Sequence, residues 1–113
     1  MARTLVGNTG IAPFNRFSSR PSRSVVAFSE TVFYVFQQSA AGGVLRCMKT
    51  IDGGQTWASV GNLSGTGAIT FDIYYERWTD PSFPPIVHCV IHDDTGTRGL
   101  YYSRIELGPD VIS

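Results

Sequence analysis

Apolar, β-branched and aromatic residues in this chain gather in runs of five to eight, and no window of eleven or more shows the i, i+3, i+4, i+7 spacing of a helix. The pattern predicts strands at Arg3–Gly7, Ser24–Phe28, Thr31–Gln37, Val44–Thr50, Thr56–Val60, Ile69–Glu76, Ile86–His92 and Gly99–Glu106. Gly, Ser, Asn, Asp and Pro fill nearly all the gaps, at Gly42-Gly43, Asp52-Gly53-Gly54, Ser64 to Gly67 and Asp93 to Gly96. An all-β fold follows.

The strands repeat. Leu5-Val6-Gly7-Asn8 precedes Ser59-Val60-Gly61-Asn62 by 54 positions, and Thr31 to Phe36 precedes Pro85 to Val90 by the same 54. Leu45 and Leu100 each open the next strand, with the offset grown by one. The unit is strand, long loop, strand, strand, strand, in two copies of about 1–57 and 58–113 within one domain-sized chain. A period near 50 with four short strands suits the four-stranded blade of a β-propeller. The Val32 to Phe36 strand is apolar at every position, as expected for a strand covered on both faces rather than half in water.

Two blades cannot close a ring, and each leaves an apolar face and a sheet edge uncovered. Each copy begins with what would be the outermost strand, so residues 3–7 are placed to complete a blade begun by another chain. Three chains joined head to tail would then form a six-bladed propeller. The competing expectation is that the 113 residues are a piece of a longer propeller.

The segment Thr50-Ile51-Asp52-Gly53-Gly54-Gln55-Thr56-Trp57 carries the strongest local signal. Asp52 is suited to accept backbone N–H bonds across a hairpin turn, Gly54 to take a positive φ, and Trp57 to anchor the hairpin with its ring. With Thr50, Asp52, Gly54, Thr56 and Trp57 in place, the segment resembles the Asp-box, or bacterial neuraminidase repeat, of sialidase-like propellers. Residues 19–60 look like one blade of that family. The second copy departs from it, because Leu107 stands where the Asp belongs and Pro109 where the Gly belongs. Its turn must be held another way. Phe71 to Thr79, Ile86 to Ile91 and Leu100 to Tyr102 are also similar to sialidase-like repeats of tailed-phage virion proteins. In the family the Asp-box lies at the blade periphery, so the resemblance implies fold and not activity.

Sialidases bind their substrate's carboxylate with three arginines and use a Tyr–Glu pair as nucleophile and base. Arg20, directly before Pro21, matches the family's arginine motif only in part. Tyr74 and Glu76 sit two apart on a strand and hence on one face. No second or third arginine and no catalytic Asp can be placed, so the chain reads as a non-enzymatic binding or structural module, with a sialidase-type glycoside hydrolase, or a fragment of one, as the rival. Trp78, Tyr75 and Tyr101, with Tyr74 and Tyr102 nearby, are aromatic rings able to stack on sugars or to pack between blades.

Composition narrows the partners. Nine basic and nine acidic residues cancel, which leaves no positive field for nucleic acid or an anionic membrane. His88 and His92 lie about 13 Å apart along their strand, too far to share a zinc, and Asp93 to Gly96 supplies few oxygens for calcium. No phosphate loop or catalytic-serine elbow occurs, and no metal or cofactor is expected. Cys47 and Cys89 fit no zinc or redox spacing and are expected as two buried thiols. No apolar segment follows Met1-Ala2-Arg3-Thr4, so no secretory signal is visible. Expected partners are further copies of the chain, other virion proteins or a glycan. The expected location is a virion or the cytoplasm of the expressing cell.

Overall fold

A computed structural model describes residues 24–38, 43–65, 68–76, 81–93 and 99–113. They form eight strands in two four-stranded antiparallel sheets. The first sheet takes β1 (Val25–Ala27), β2 (Phe33–Gln38), β3 (Leu45–Thr50) and β4 (Ala58–Asn62) in that spatial order. The second takes β5 (Ala68–Glu76), β6 (Ile86–Asp93), β7 (Gly99–Glu106) and β8 (Val111–Ile112). Each sheet is a simple up-and-down meander in which every strand pairs with its neighbour in sequence. The strand expected at Arg3–Gly7 lies outside the described residues.

The sequence repeat and the sheets are out of phase by one strand. β4 opens the second copy of the repeat, yet it pairs with β3 and closes the first sheet. Most strand ends shift by a residue or two, and two strand starts move by two residues for local reasons. The strand expected from Thr31 begins at Phe33, because the Val32 carbonyl accepts turn bonds from the N–H groups of Phe28 and Ser29 at 2.9 and 3.2 Å. The strand expected from Thr56 begins at Ala58, because Thr56 and Trp57 are held in the preceding turn. β8 is not in the sequence reading. It pairs only Ile105 with Ile112 and Glu106 with Val111, and so gives the second sheet its fourth strand from the same chain.

Strand alternation decides what is buried. On the first sheet Val26, Tyr34, Phe36, Leu45 and Cys47 share one side. On the second sheet Phe71, Ile73, Val87, Cys89, Ile91 and Ile105 share one side. All of these residues are buried and belong, with Leu63 and Leu107, to a single hydrophobic cluster, so the two sheets pack their facing sides into one core. Gly61, at φ 154°, would place a Cβ 3.0 Å from Ile112 Cδ1, so a side chain there would be strained in the backbone and would push the isoleucine by a few tenths of an ångström.

The outward sides differ. On the first sheet Val35, Gln37, Met48 and Thr50 are buried, so β2 is covered on both faces. On the second sheet the outward side carries Tyr74, Val90, Leu100 and Tyr102, which are 54, 47, 74 and 60% exposed. The same side also carries Asp72, Glu76, His88, His92, Arg104 and Glu106, so it is an open face on which apolar and charged side chains mix.

Cys47 and Cys89 are free and fully buried in the shared core. Burial raises the Cys47 thiol well above its ordinary range and pushes Cys89 up to about 12. Neither thiol is expected to react with a disulfide reagent at pH 8 in the native chain, and both should react at once in guanidinium. Fast native labelling would contradict this core.

Candidate functional site

The turn from Thr50 to Trp57 is built around one carboxylate. Asp52 Oδ1 accepts from the backbone N–H groups of Gln55 and Thr56 at 3.0 and 2.9 Å and from Thr50 Oγ1 at 2.8 Å, while Oδ2 accepts from Thr56 Oγ1. Thr50 Oγ1 in turn accepts from the N–H of Gly54 at 2.9 Å. Gly53 and Gly54 take φ of 72° and 96°. Trp57 Nε1 donates to the Gly54 carbonyl at 3.1 Å, which fixes the half-buried ring against the turn.

These donors, the Thr56 hydroxyl first, lower the Asp52 carboxyl from 3.8 to about 2. A lowered folded value means that the bonds contribute fully above pH 3.8 and are lost as the pH falls through about 2. The Thr56 amide resonance should therefore titrate near pH 2 in the native chain and not near 4. A midpoint near 4 would show the carboxylate unengaged.

The second hairpin is closed differently. Glu106 pairs with Val111, which leaves Leu107, Gly108, Pro109 and Asp110 as the loop. The bond from Gly53 N–H to the Thr31 carbonyl recurs 54 positions on as Leu107 N–H to the Pro85 carbonyl, both at 2.9 Å. Leu107 is fully buried in the core, so a plug of apolar side chain stands in this turn in place of a carboxylate hub. Asp110, at φ 60°, reaches across to the first sheet. Its Oδ1 accepts from the buried Tyr34 hydroxyl and its Oδ2 from Lys49 Nζ at 2.6 Å, and the Tyr34 oxygen accepts from Gly108 N–H at 3.1 Å. Burial, with the Asp110 bond second, raises the Tyr34 phenol above 10.0, and the Asp110 carboxylate raises Lys49 above 10.5.

This junction borders a groove of about 390 Å³ lined by Lys49, Ile51, Thr56, Trp57, Ala58, Ser59, Val60 and Asp110. Neither the groove nor the Tyr34–Lys49–Asp110 cluster is foreseen by the sequence reading. The only local hint was the turn composition Gly108-Pro109-Asp110.

The outward face of the second sheet holds a second constellation. Tyr74 and Glu76 lie on that face as alternation requires, but Glu76 Oε2 bonds His88 Nε2 at 2.6 Å. His88 Nδ1 lies 2.7 Å from the Tyr102 hydroxyl. The imidazole thus links the carboxylate to Tyr102, while the Tyr74 ring stacks beside it at 6.1 Å between centroids. Register explains the set: Tyr74 stands opposite His88, and Glu76 and Tyr102 are its diagonal neighbours.

Tyr75 points to the other side and packs against the core, and half-exposed Tyr101 lines a separate groove with Leu63, Ser64 and Ser113. Arg20 and Trp78 lie outside the described residues, so no arginine from position 20 can be related to Tyr74 or Glu76. Among the described residues, no three His, Cys, Asp or Glu side chains gather as a metal site.

Compared with known proteins, the chain matches no family model, and no curated protein is significantly similar to it.

Proposed function

We propose that the chain is a non-enzymatic module of β-propeller type that works by assembly and binding, either as a structural component of a tailed-phage virion or as a glycan-binding protein. The observation that carries this reading is the outward face of the second sheet, where Tyr74, Val90, Leu100 and Tyr102 stand exposed among polar side chains. Exposed aromatic and aliphatic side chains set among polar partners on one sheet face suit a contact surface. The connection of each sheet, four sequential strands without a crossover, is that of a propeller blade and supports the resemblance carried by Thr50 to Trp57. A six-bladed ring of three chains is the proposed assembly; it requires that the outward side of the first sheet, where Val35, Gln37, Met48 and Thr50 are buried within the chain, be bared for the next copy.

Light scattering on the purified chain tests it. A stable species of three times the 12.4 kDa chain mass is expected. Val90→Lys, which puts a charge in the middle of the exposed face, should reduce that species to monomer while leaving the circular dichroism unchanged. A monodisperse monomer of the unaltered chain at micromolar concentration overturns the assembly.

The rival reading, a sialidase-type hydrolase, draws on Tyr74 and Glu76 sharing an open face. In its favour stands the link from Glu76 through His88 to Tyr102, which joins a base to a phenol. Turnover of a fluorogenic sialoside, lost in Tyr74→Phe or Tyr102→Phe, would establish it. No turnover by the pure assembly removes it.

A further inference from the structure

We propose that the groove between the Thr50–Trp57 turn, strand β4 and the Leu107–Asp110 turn binds one neutral pyranose unit of a glycan. The proposal rests on the glycan-binding half of the reading above and gives it a place. A pyranose offers an apolar C–H face and a rim of hydroxyls, so its sites combine a fixed aromatic ring with charged hydrogen-bonding groups. The groove has both. Trp57 is held by its bond to the Gly54 carbonyl, so its ring is oriented before a ligand arrives, and Ile51 extends the apolar wall. The volume of about 390 Å³ is at the small end of ligand sites, which suits a single ring better than a chain of them.

The polar wall decides the class of sugar. Each Asp110 oxygen accepts one bond from the protein, from Tyr34 and from Lys49, and a carboxylate oxygen has a second lone pair to offer a sugar hydroxyl. Lys49 carries three ammonium protons; Asp110 takes one and the Tyr34 hydroxyl engages a second, which leaves one for a sugar. Thr56 lies on the same lining with its hydroxyl proton given to Asp52, so it offers a sugar its oxygen as an acceptor. Lys49 and Asp110 cancel in charge, and the Asp110 carboxylate 2.6 Å from the ammonium would repel an anionic sugar drawn to it. A neutral hexose meets no such repulsion. The constellation on the second sheet is the alternative sugar platform, but it is an open face without walls.

Binding is tested on the full chain by proton–nitrogen correlation spectra. The probes are methyl β-D-galactopyranoside, methyl α-D-glucopyranoside, methyl α-D-mannopyranoside and N-acetylneuraminic acid. At least one neutral glycoside is expected to move the Trp57 indole resonance with half-saturation at roughly millimolar concentration. Ala58→Gln, which fills the groove from an exposed strand position without changing charge, should weaken this about tenfold or more at an unaltered melting temperature. Tyr102→Ala should leave it unchanged. Binding abolished by Tyr102→Ala but not by Ala58→Gln overturns the groove and leaves the glycan reading standing. A preference for N-acetylneuraminic acid overturns the neutral class. No binding by any probe removes both the groove and the glycan reading, while the mass of the assembly, measured on the same sample, still reports on the structural one.

Discussion

Leu107→Asp, which restores the residue type that the repeat resemblance asks for, is expected to unfold the chain. Leu107 is completely buried in the cluster shared by both sheets, and its N–H is bonded to the Pro85 carbonyl at 2.9 Å. A carboxylate there would meet the core and not the two N–H groups and two hydroxyls that donate to Asp52. An unpaired charge in such a place, or the proton uptake that avoids it, removes more than about 5 kcal/mol, which is the whole stability of many domains of this size. Leu107→Ala keeps the site apolar and should cost about 2–5 kcal/mol through the cavity it leaves. Urea titrations followed by circular dichroism read both. A Leu107→Asp chain within about 1 kcal/mol of the parent would show that Leu107 is not the plug of the second turn.

The same residue shows how far the sequence carries. The departure of Leu107 and Pro109 from the motif predicted that the second turn is held another way, and the fold supplies the way: a tighter loop, a buried leucine and Asp110 reaching to the other sheet. Strand positions were legible because β-branched and aromatic runs alternate with Gly, Asp and Pro, a local signal. The Thr50–Trp57 turn was legible for the same reason, since every bond to Asp52 comes from within four residues. β8 was not, because a strand of two residues, Val111 and Ile112, makes no run.

Long-range geometry was the other blind spot. Tyr34 and Asp110 lie 76 positions apart, and nothing near either residue announces the other. The Glu76–His88–Tyr102 link was closer to reach. Alternation alone puts Tyr74, Glu76 and His88 on one face once the β5–β6 register is known, but the sequence fixes the strands and leaves that register open. It also left unstated which face would be wet. Tyr75, grouped with Tyr101 as a sugar-stacking candidate, belongs to the inward side and packs on the core, one residue from outward Tyr74.

Asp110→Ala is expected to loosen the contact between the sheets by roughly 2.5–5 kcal/mol, from two sources. The buried Tyr34 hydroxyl loses its charged acceptor, worth about 1.5–3 kcal/mol, whereas the bond to half-exposed Lys49 is screened and adds little. Alanine must also adopt φ 60°, at about 1–2 kcal/mol, so Asp110→Gly should be the milder change by about that much. Combined with Tyr34→Phe, Asp110→Gly should show a coupling of about 1 kcal/mol or more, the signature of one shared bond. Alkaline titration separates the bond from the backbone strain. Tyr34 and Lys49 both have folded values raised above 10.0 and 10.5, so the stability they contribute is complete below pH 10 and is lost as the pH rises through the folded values. The parent should therefore weaken steeply above pH 10, and Asp110→Gly, with the Asp110 contribution to both shifts gone, should weaken less steeply. Equal alkaline slopes would mean that Asp110 does not tie the second sheet to the first.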